Sequence, residues 1–231
     1  MVLKVFRWAP GARERIQKYW ISAKEGMTVL DALVDAQRRL DPTLAFRYAC
    51  RVGMCGSCAM VINGRERWAC RTLLQTLRTG TVTVRPLYHF PLIRDLVVDM
   101  APMKETMGAV NAAFTPGEGP PVFALVGGDS RERRRIDDAI ECIGCGMCVS
   151  ACTMVAHDPQ FPGPAALNRL FTLQTDSRDA GHAARAAVML AEGSLMRCHG
   201  QANCTAVCPM EISPTESILA LRRRAVARLF H

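Results

Sequence analysis

The chain has no run of the roughly 18 to 20 apolar residues needed to span a bilayer, so no membrane-crossing helix is expected. Its start, from Met1 to Arg7, is too polar for a secretory leader and no small-residue cleavage site follows, which points to a reducing, cytoplasmic compartment. Lysine is scarce, at Lys4, Lys18, Lys24 and Lys104 alone, so the net charge of +8 rests mostly on arginine. Aromatic residues make up 6% of the chain, and no RNA-binding aromatic signature accompanies the basic runs at 131–135 and 222–224. Those runs read as solvated helix faces, with 221–228 also suited to anionic headgroups or an acidic partner. Also missing are a Ser/His/Asp set, paired carboxylates in a catalytic frame and a phosphate-cradling loop. Gly127-Gly128-Asp129 alone is too weak to make one. No catalytic residue is therefore expected on this chain.

Cysteine is plentiful: eleven in 231 residues. An odd number leaves one thiol over in any disulfide scheme. With 49% hydrophobic residues the chain can bury a core without such staples. The cysteines fall into three spaced groups: Cys50, Cys55, Cys58 and Cys70; Cys142, Cys145, Cys148 and Cys152; and Cys198, Cys204 and Cys208, closed by Pro209.

Thiolate sulfur is a soft ligand suited to iron–sulfur clusters. Cys-x4-Cys-x2-Cys with a later fourth cysteine is the plant-type [2Fe–2S] pattern, met here by Cys50, Cys55, Cys58 and Cys70. Gly53 and Gly56 let that loop curl tightly and turn amide donors toward sulfur. A four-cysteine zinc site is the competing reading, against which stands the four-residue gap between the first two ligands. The second group is the bacterial ferredoxin run, in which the last cysteine serves the other cluster. Cys142, Cys145 and Cys148 are thus expected to hold a [4Fe–4S] cluster with Cys208, while Cys152 crosses over. In the third group Gln201 stands where a second cysteine would be. That leaves Cys152, Cys198 and Cys204, three thiolates that fit a [3Fe–4S] cluster. The alternative is a [4Fe–4S] cluster whose odd iron is held by Gln201, by water or by nothing.

The first hundred residues read as a small mixed domain. Leu3 to Trp8 and Lys18 to Ile21 are strand candidates, Thr28 caps a helix from Val29 to Leu40, and Asp41-Pro42 ends it. Ala59 to Ile62 is a strand turning at Asn63-Gly64 into a segment that returns through Trp68 to Cys70, and Thr81 to Val84 is another strand. Residues 101–135 form a connector in this reading, with 116–121 as a loop. From Ile136 the pattern is helical, with helices at Ala165–Phe171, Ala180–Glu192 and Thr215–Phe230.

In type, order and spacing of these motifs the chain resembles the iron–sulfur subunit of the succinate dehydrogenase/fumarate reductase family. Cys55-Gly-Ser-Cys58-Ala-Met, Gly163-Pro164-Ala165-Ala166-Leu167 and Asp176-Ser177-Arg178-Asp179 extend the resemblance beyond the ligands. The resemblance implies an α+β fold: a plant-ferredoxin-like (β-grasp) domain over 1–100, then a helical bacterial-ferredoxin-like domain over 136–231. It implies a flavoprotein partner carrying FAD, membrane-anchor subunits, and electrons passing from flavin through [2Fe–2S], [4Fe–4S] and [3Fe–4S] to quinone, or back. It places the chain on the inner face of the plasma membrane through its complex.

The departures bear on the acceptor. Members that reduce ubiquinone usually follow the first ferredoxin run with Pro and a Trp pair; here Thr153-Met154-Val155-Ala156-His157 follows Cys152, and no Trp occurs after Trp68, which speaks against ubiquinone chemistry at this position. Val52 stands where the family often carries an acid. His199 matches a family position near the quinone end, and reads equally as a partly buried histidine hydrogen-bonding beside a cluster. Two other functions compete: a soluble relay for a different flavin enzyme with a non-quinone acceptor, and a zinc-stabilised nucleic-acid binder.

Overall fold

The computed structural model describes residues 1–118 and 125–229. Positions 119–121 of the expected loop and Phe230 of the expected last helix lie outside the described residues. In chain order the elements are β1 (Val2–Arg7), β2 (Arg15–Trp20), α1 (Val29–Arg39), β3 (Ala59–Ile62), β4 (Arg65–Trp68), β5 (Thr81–Arg85), β6 (Leu92–Arg94), β7 (Val97–Val98), α2 (Ala101–Ala109), α3 (Arg131–Ile140), α4 (Met147–Ser150), α5 (Thr153–His157), α6 (Gly163–Thr175), α7 (His182–Leu190), α8 (Asn203–Ala206) and α9 (Pro214–Leu229). They divide between two compact units, Met1–Met100 with Ile143–Ser150, and Ala101–Cys142 with Ala151–His231.

The first unit is built on a five-stranded sheet in the order β2-β1-β5-β3-β4. β1 and β5 run parallel at its centre; every other pairing is antiparallel. Val5, Val82 and Val84 on the central strands are fully buried, as branched side chains on a covered pleat should be. The α1 helix closes over that face. Thr28 and Asp31 form a capping box, and Val29, Leu30, Ala32, Leu33 and Ala36 make its buried stripe. Asn63 and Gly64 both take positive φ, as a two-residue hairpin turn requires, and the Asn63 side chain also accepts the Thr83 N–H at 2.7 Å.

A buried polar knot fixes the approach to the first cysteine loop. Arg7 donates to Asp95 (2.9 Å), to the Tyr19 hydroxyl (2.6 Å), to Thr43 (2.9 Å) and to Asp41. Asp95 also accepts the backbone N–H groups of Trp8 and Ala45, so each buried charge is partnered, the condition under which such a charge is tolerable. Burial disfavours the Asp41 carboxylate, yet hydrogen bonds from Thr43, Tyr19 and Arg7 win and hold it well below the usual carboxylate range. Burial and the Asp41 hydrogen bond push the Tyr19 phenol up to about 12.

The second unit is helical. Its core joins Ile136 of α3, Leu167, Leu170 and Phe171 of α6, Met189 of α7, and Ile218, Leu221 and Ala225 of α9. Among the described residues, no helix is long and apolar enough to cross a membrane. The stretch expected as a connector, 101–135, carries α2 and the first half of α3. Ser130 caps α3 by accepting the Arg133 N–H at 3.0 Å, so the basic run at 131–135 is the start of a helix. α2 escaped the periodicity argument because Met103 is its only buried side chain. β6 and β7 escaped because two- and three-residue strands carry no readable alternation.

Candidate iron–sulfur sites

The loop from Cys50 to Cys58 passes through left-handed backbone at Arg51, Gly53 and Gly56. A side chain at Gly53 would meet Arg71 at 2.9 Å; one at Gly56 would meet the Cys145 Cβ at 2.6 Å. Both glycines are therefore required by space as well as by φ. The curl turns amides onto sulfur. The N–H groups of Met54 and Cys55 lie 3.3 and 3.4 Å from Cys50 Sγ, and the Ser57 hydroxyl donates to Cys55 Sγ at 3.1 Å. Backbone donation from Val52, then the Cys55 side chain and the amides of Met54 and Cys55, hold the Cys50 thiol down to about 6. Opposite it, Cys58 and Cys70 are buried, and burial pushes the Cys58 thiol up to about 12. Only a bound cation makes a thiolate favourable there. A loop offering N–H donors to sulfur and a buried thiol pair fits a cluster better than it fits water.

The segment 143–150 belongs to the same unit. Gly146 has positive φ, and a side chain on it would strike Met100 and Phe90. The Ser150 hydroxyl donates to the buried Glu66 carboxylate at 2.7 Å and accepts the Tyr88 N–H at 2.9 Å. Cys145 thus stands beside the first loop at Gly56, a juxtaposition the spacing of cysteines does not reveal.

In the second unit the thiols gather in two sets. Burial pushes Cys152 up, and Cys204 and Cys198 add to the shift through their charges while the amides of Val155 and Met154 donate to it. Burial likewise pushes Cys208 up, with Cys142 as its charged neighbour and the amides of Met210 and Ile212 as donors. One cavity is lined by Cys152, Cys198 and Cys204 together with Thr153, His199 and Gln201. Thr215 Oγ1 lies 3.3 Å from Cys204 Sγ and accepts from Thr205 at 3.0 Å. Thr153 Oγ1 donates to Gln201 Oε1 at 2.7 Å. Sequence reasoning missed Thr215, Thr153 and Ser57 as sulfur- or loop-binding groups; a hydroxyl has no spacing rule that marks it. His199 is exposed and lines this cavity. His157, in the last turn of α5, is exposed as well.

The eleven cysteines make no disulfide. Among the described residues, no group of three His, Cys, Asp or Glu side chains is arranged to hold a single metal ion.

Comparison with known proteins agrees with this division. Residues 2–105 match the family model described as a 2Fe-2S iron-sulfur cluster binding domain, and residues 138–212 match a 4Fe-4S dicluster domain. The chain is 36% identical over 224 residues to the fumarate reductase iron-sulfur subunit of Mycobacterium tuberculosis, covering 94% of this chain and 90% of that one. It is 34% identical over 229 residues to the succinate dehydrogenase iron-sulfur subunit of Paracoccus denitrificans, covering 97% and 88%. The chain belongs to the iron–sulfur subunit family of succinate dehydrogenases and fumarate reductases. A chain of the Mycobacterium smegmatis Sdh1 complex in the apo form superposes with a TM-score of 0.90 at 30% identity, covering 100% of this chain and 97% of that one. As a member of this iron–sulfur subunit family the chain is an electron relay of an oxidoreductase complex. The zinc-stabilised nucleic-acid binder is set aside by the same matches.

Proposed function

We propose that this subunit holds three clusters and passes electrons between a FAD-bearing catalytic subunit and quinone, in a succinate- or fumarate-converting complex. Cys50, Cys55, Cys58 and Cys70 hold [2Fe–2S]; Cys142, Cys145, Cys148 and Cys208 hold [4Fe–4S]; Cys152, Cys198 and Cys204 hold [3Fe–4S]. The observation that carries this reading is the pairing of thiols out of sequence order. Cys152 has Cys198 and Cys204 as its charged neighbours, while Cys208 has Cys142. That crossover is what two interleaved ferredoxin runs demand.

Bound clusters supply one-electron carriers; the protein spaces and tunes them. Amides at Cys50, the Ser57 hydroxyl at Cys55 and the Thr215 hydroxyl at Cys204 each stabilise negative charge on sulfur. The fold names that suit the two units are plant-ferredoxin-like and helical ferredoxin-like. Substrate chemistry belongs to the flavoprotein, and contact with the inner membrane face comes through anchor subunits.

A second reading keeps the same relay but sends electrons to a non-quinone acceptor. The sequence Thr153 to His157, without the Trp pair, favours it. Affinity purification from native cells in mild detergent distinguishes the two. A flavoprotein with a small helical membrane protein supports the quinone-linked complex; a flavoprotein alone from the soluble fraction supports the other. Low-temperature EPR of the oxidised, cluster-replete complex tests the third cluster: absence of a paramagnetic three-iron signal contradicts it.

A further inference from the structure

Gln201 occupies the position that a regular ferredoxin run gives to cysteine, and it lines the same cavity as Cys152, Cys198 and Cys204. Its carboxamide oxygen is a hard donor, able to ligate iron. The backbone on either side is left-handed, at Gly200 (φ 69°) and at Ala202 (φ 60°). Ala202 adopts that conformation without a glycine's freedom. The loop is thus bent twice around the one residue that could fill the missing corner. Yet the Gln201 oxygen is already engaged, accepting the Thr153 hydroxyl at 2.7 Å. Thr153 directly follows Cys152, so the hydrogen bond ties the two cysteine runs that supply this cavity.

We propose that Thr153 is a positioning residue that holds the Gln201 oxygen away from iron and so keeps the third cluster at three irons. The proposal rests on the three-iron reading given above. The reaction it opposes is uptake of ferrous iron by the one-electron-reduced cluster, [3Fe–4S]0 + Fe2+ → [4Fe–4S]2+, which balances in atoms and charge once dithionite has supplied the electron. With the Thr153 hydroxyl in place, one of the two lone pairs of the Gln201 oxygen is taken and the carboxamide is held toward Thr153, so an incoming iron must compete with that hydrogen bond for the oxygen. With valine there, the oxygen is free.

The test uses the complex purified with its partners. It is incubated anaerobically with dithionite and graded ferrous iron, then reoxidised and read by EPR for the three-iron signal and by Mössbauer spectroscopy for cluster type. Thr153→Val should lose the three-iron signal at roughly three- to tenfold lower iron than the wild type, the worth of one net hydrogen bond. Thr153→Ser, which keeps the hydroxyl, should behave as wild type. Adding Gln201→Ala to Thr153→Val should restore resistance, because the oxygen is then gone. Equal iron dependence of Thr153→Val and wild type, or a double variant as susceptible as Thr153→Val, overturns the proposal while leaving the three-iron reading intact. A wild-type complex that already carries four irons at this site overturns both.

Discussion

Thr215 reaches the Cys204 sulfur with its hydroxyl, and that single contact has a measurable electrical consequence. A donor to a ligand sulfur stabilises the reduced, more negative state. Thr215→Val should lower the potential of the third cluster by roughly 20 to 60 mV, one hydrogen bond expressed through a one-electron couple. Thr215→Ser should hold it near the wild-type value. An EPR-monitored redox titration reads both, and an unchanged potential in the valine variant removes the contact from the tuning set. Gly56 makes the complementary case by what it lacks. Gly56→Ala brings a Cβ to 2.6 Å from that of Cys145 in a backbone with φ of 71°. Overpacking of this kind costs about 1 to 3 kcal/mol. The first loop should then retain its iron less well, seen as a lower iron-to-protein ratio after gel filtration. The three cysteine groups stand out in the sequence because a cluster imposes spacing on the chain that holds it. Thr215 and Thr153 do not, since their partners lie 11 and 48 residues away and only the fold brings them together.

At the scale of elements, the joint between α6 and α7 depends on one buried ion pair. Arg185 and Asp179 are almost wholly inaccessible to water. Asp179 also accepts the N–H groups of Gly181 and Thr115, and Arg185 donates to the Asn111 carbonyl at 2.8 Å. The pair therefore fastens the chain after α2 to the start of α7. Arg185→Met strands a buried carboxylate and should destabilise the protein by about 3 to 5 kcal/mol, measured by denaturant unfolding. Arg185→Met with Asp179→Leu should recover part of that loss, because neither charge is then left alone; a double variant no better than the single one contradicts this account. The sequence motif Asp176-Ser177-Arg178-Asp179 was visible, and its physical reason was not. Helix and strand existence followed from periodicity for α1, α6, α7 and α9. The ends moved by a few residues where caps decide them, as at Pro162 before α6 and at Leu40 after α1. β2 begins at Arg15, three residues before the expected start at Lys18, because its outer half pairs with β1 while leaving Ile16 exposed.

On the scale of the whole molecule, the chain leaves its first unit at Met100, returns to it for Ile143–Ser150, and leaves again. No break in composition announces this, since the returning segment lies inside the Cys142–Cys152 run. A fragment ending at Met100 lacks the groups that meet Gly56, Glu66, Tyr88 and Phe90. It should expose apolar surface and bind the dye ANS more strongly than the full chain, and a synthetic 143–150 peptide should reduce that binding. A fragment as dye-silent as the full chain would show that the first unit closes without the return.

That return also constrains descent. A single recombination event between residues 100 and 143 would join one lineage's first loop to another's ferredoxin run. Position 56 would then face a foreign 145, and position 66 a foreign 150. The eight residues from Ile143 to Ser150 make the first unit one heritable piece with a distant stretch of sequence, and substitutions at those paired positions should travel together through its descendants.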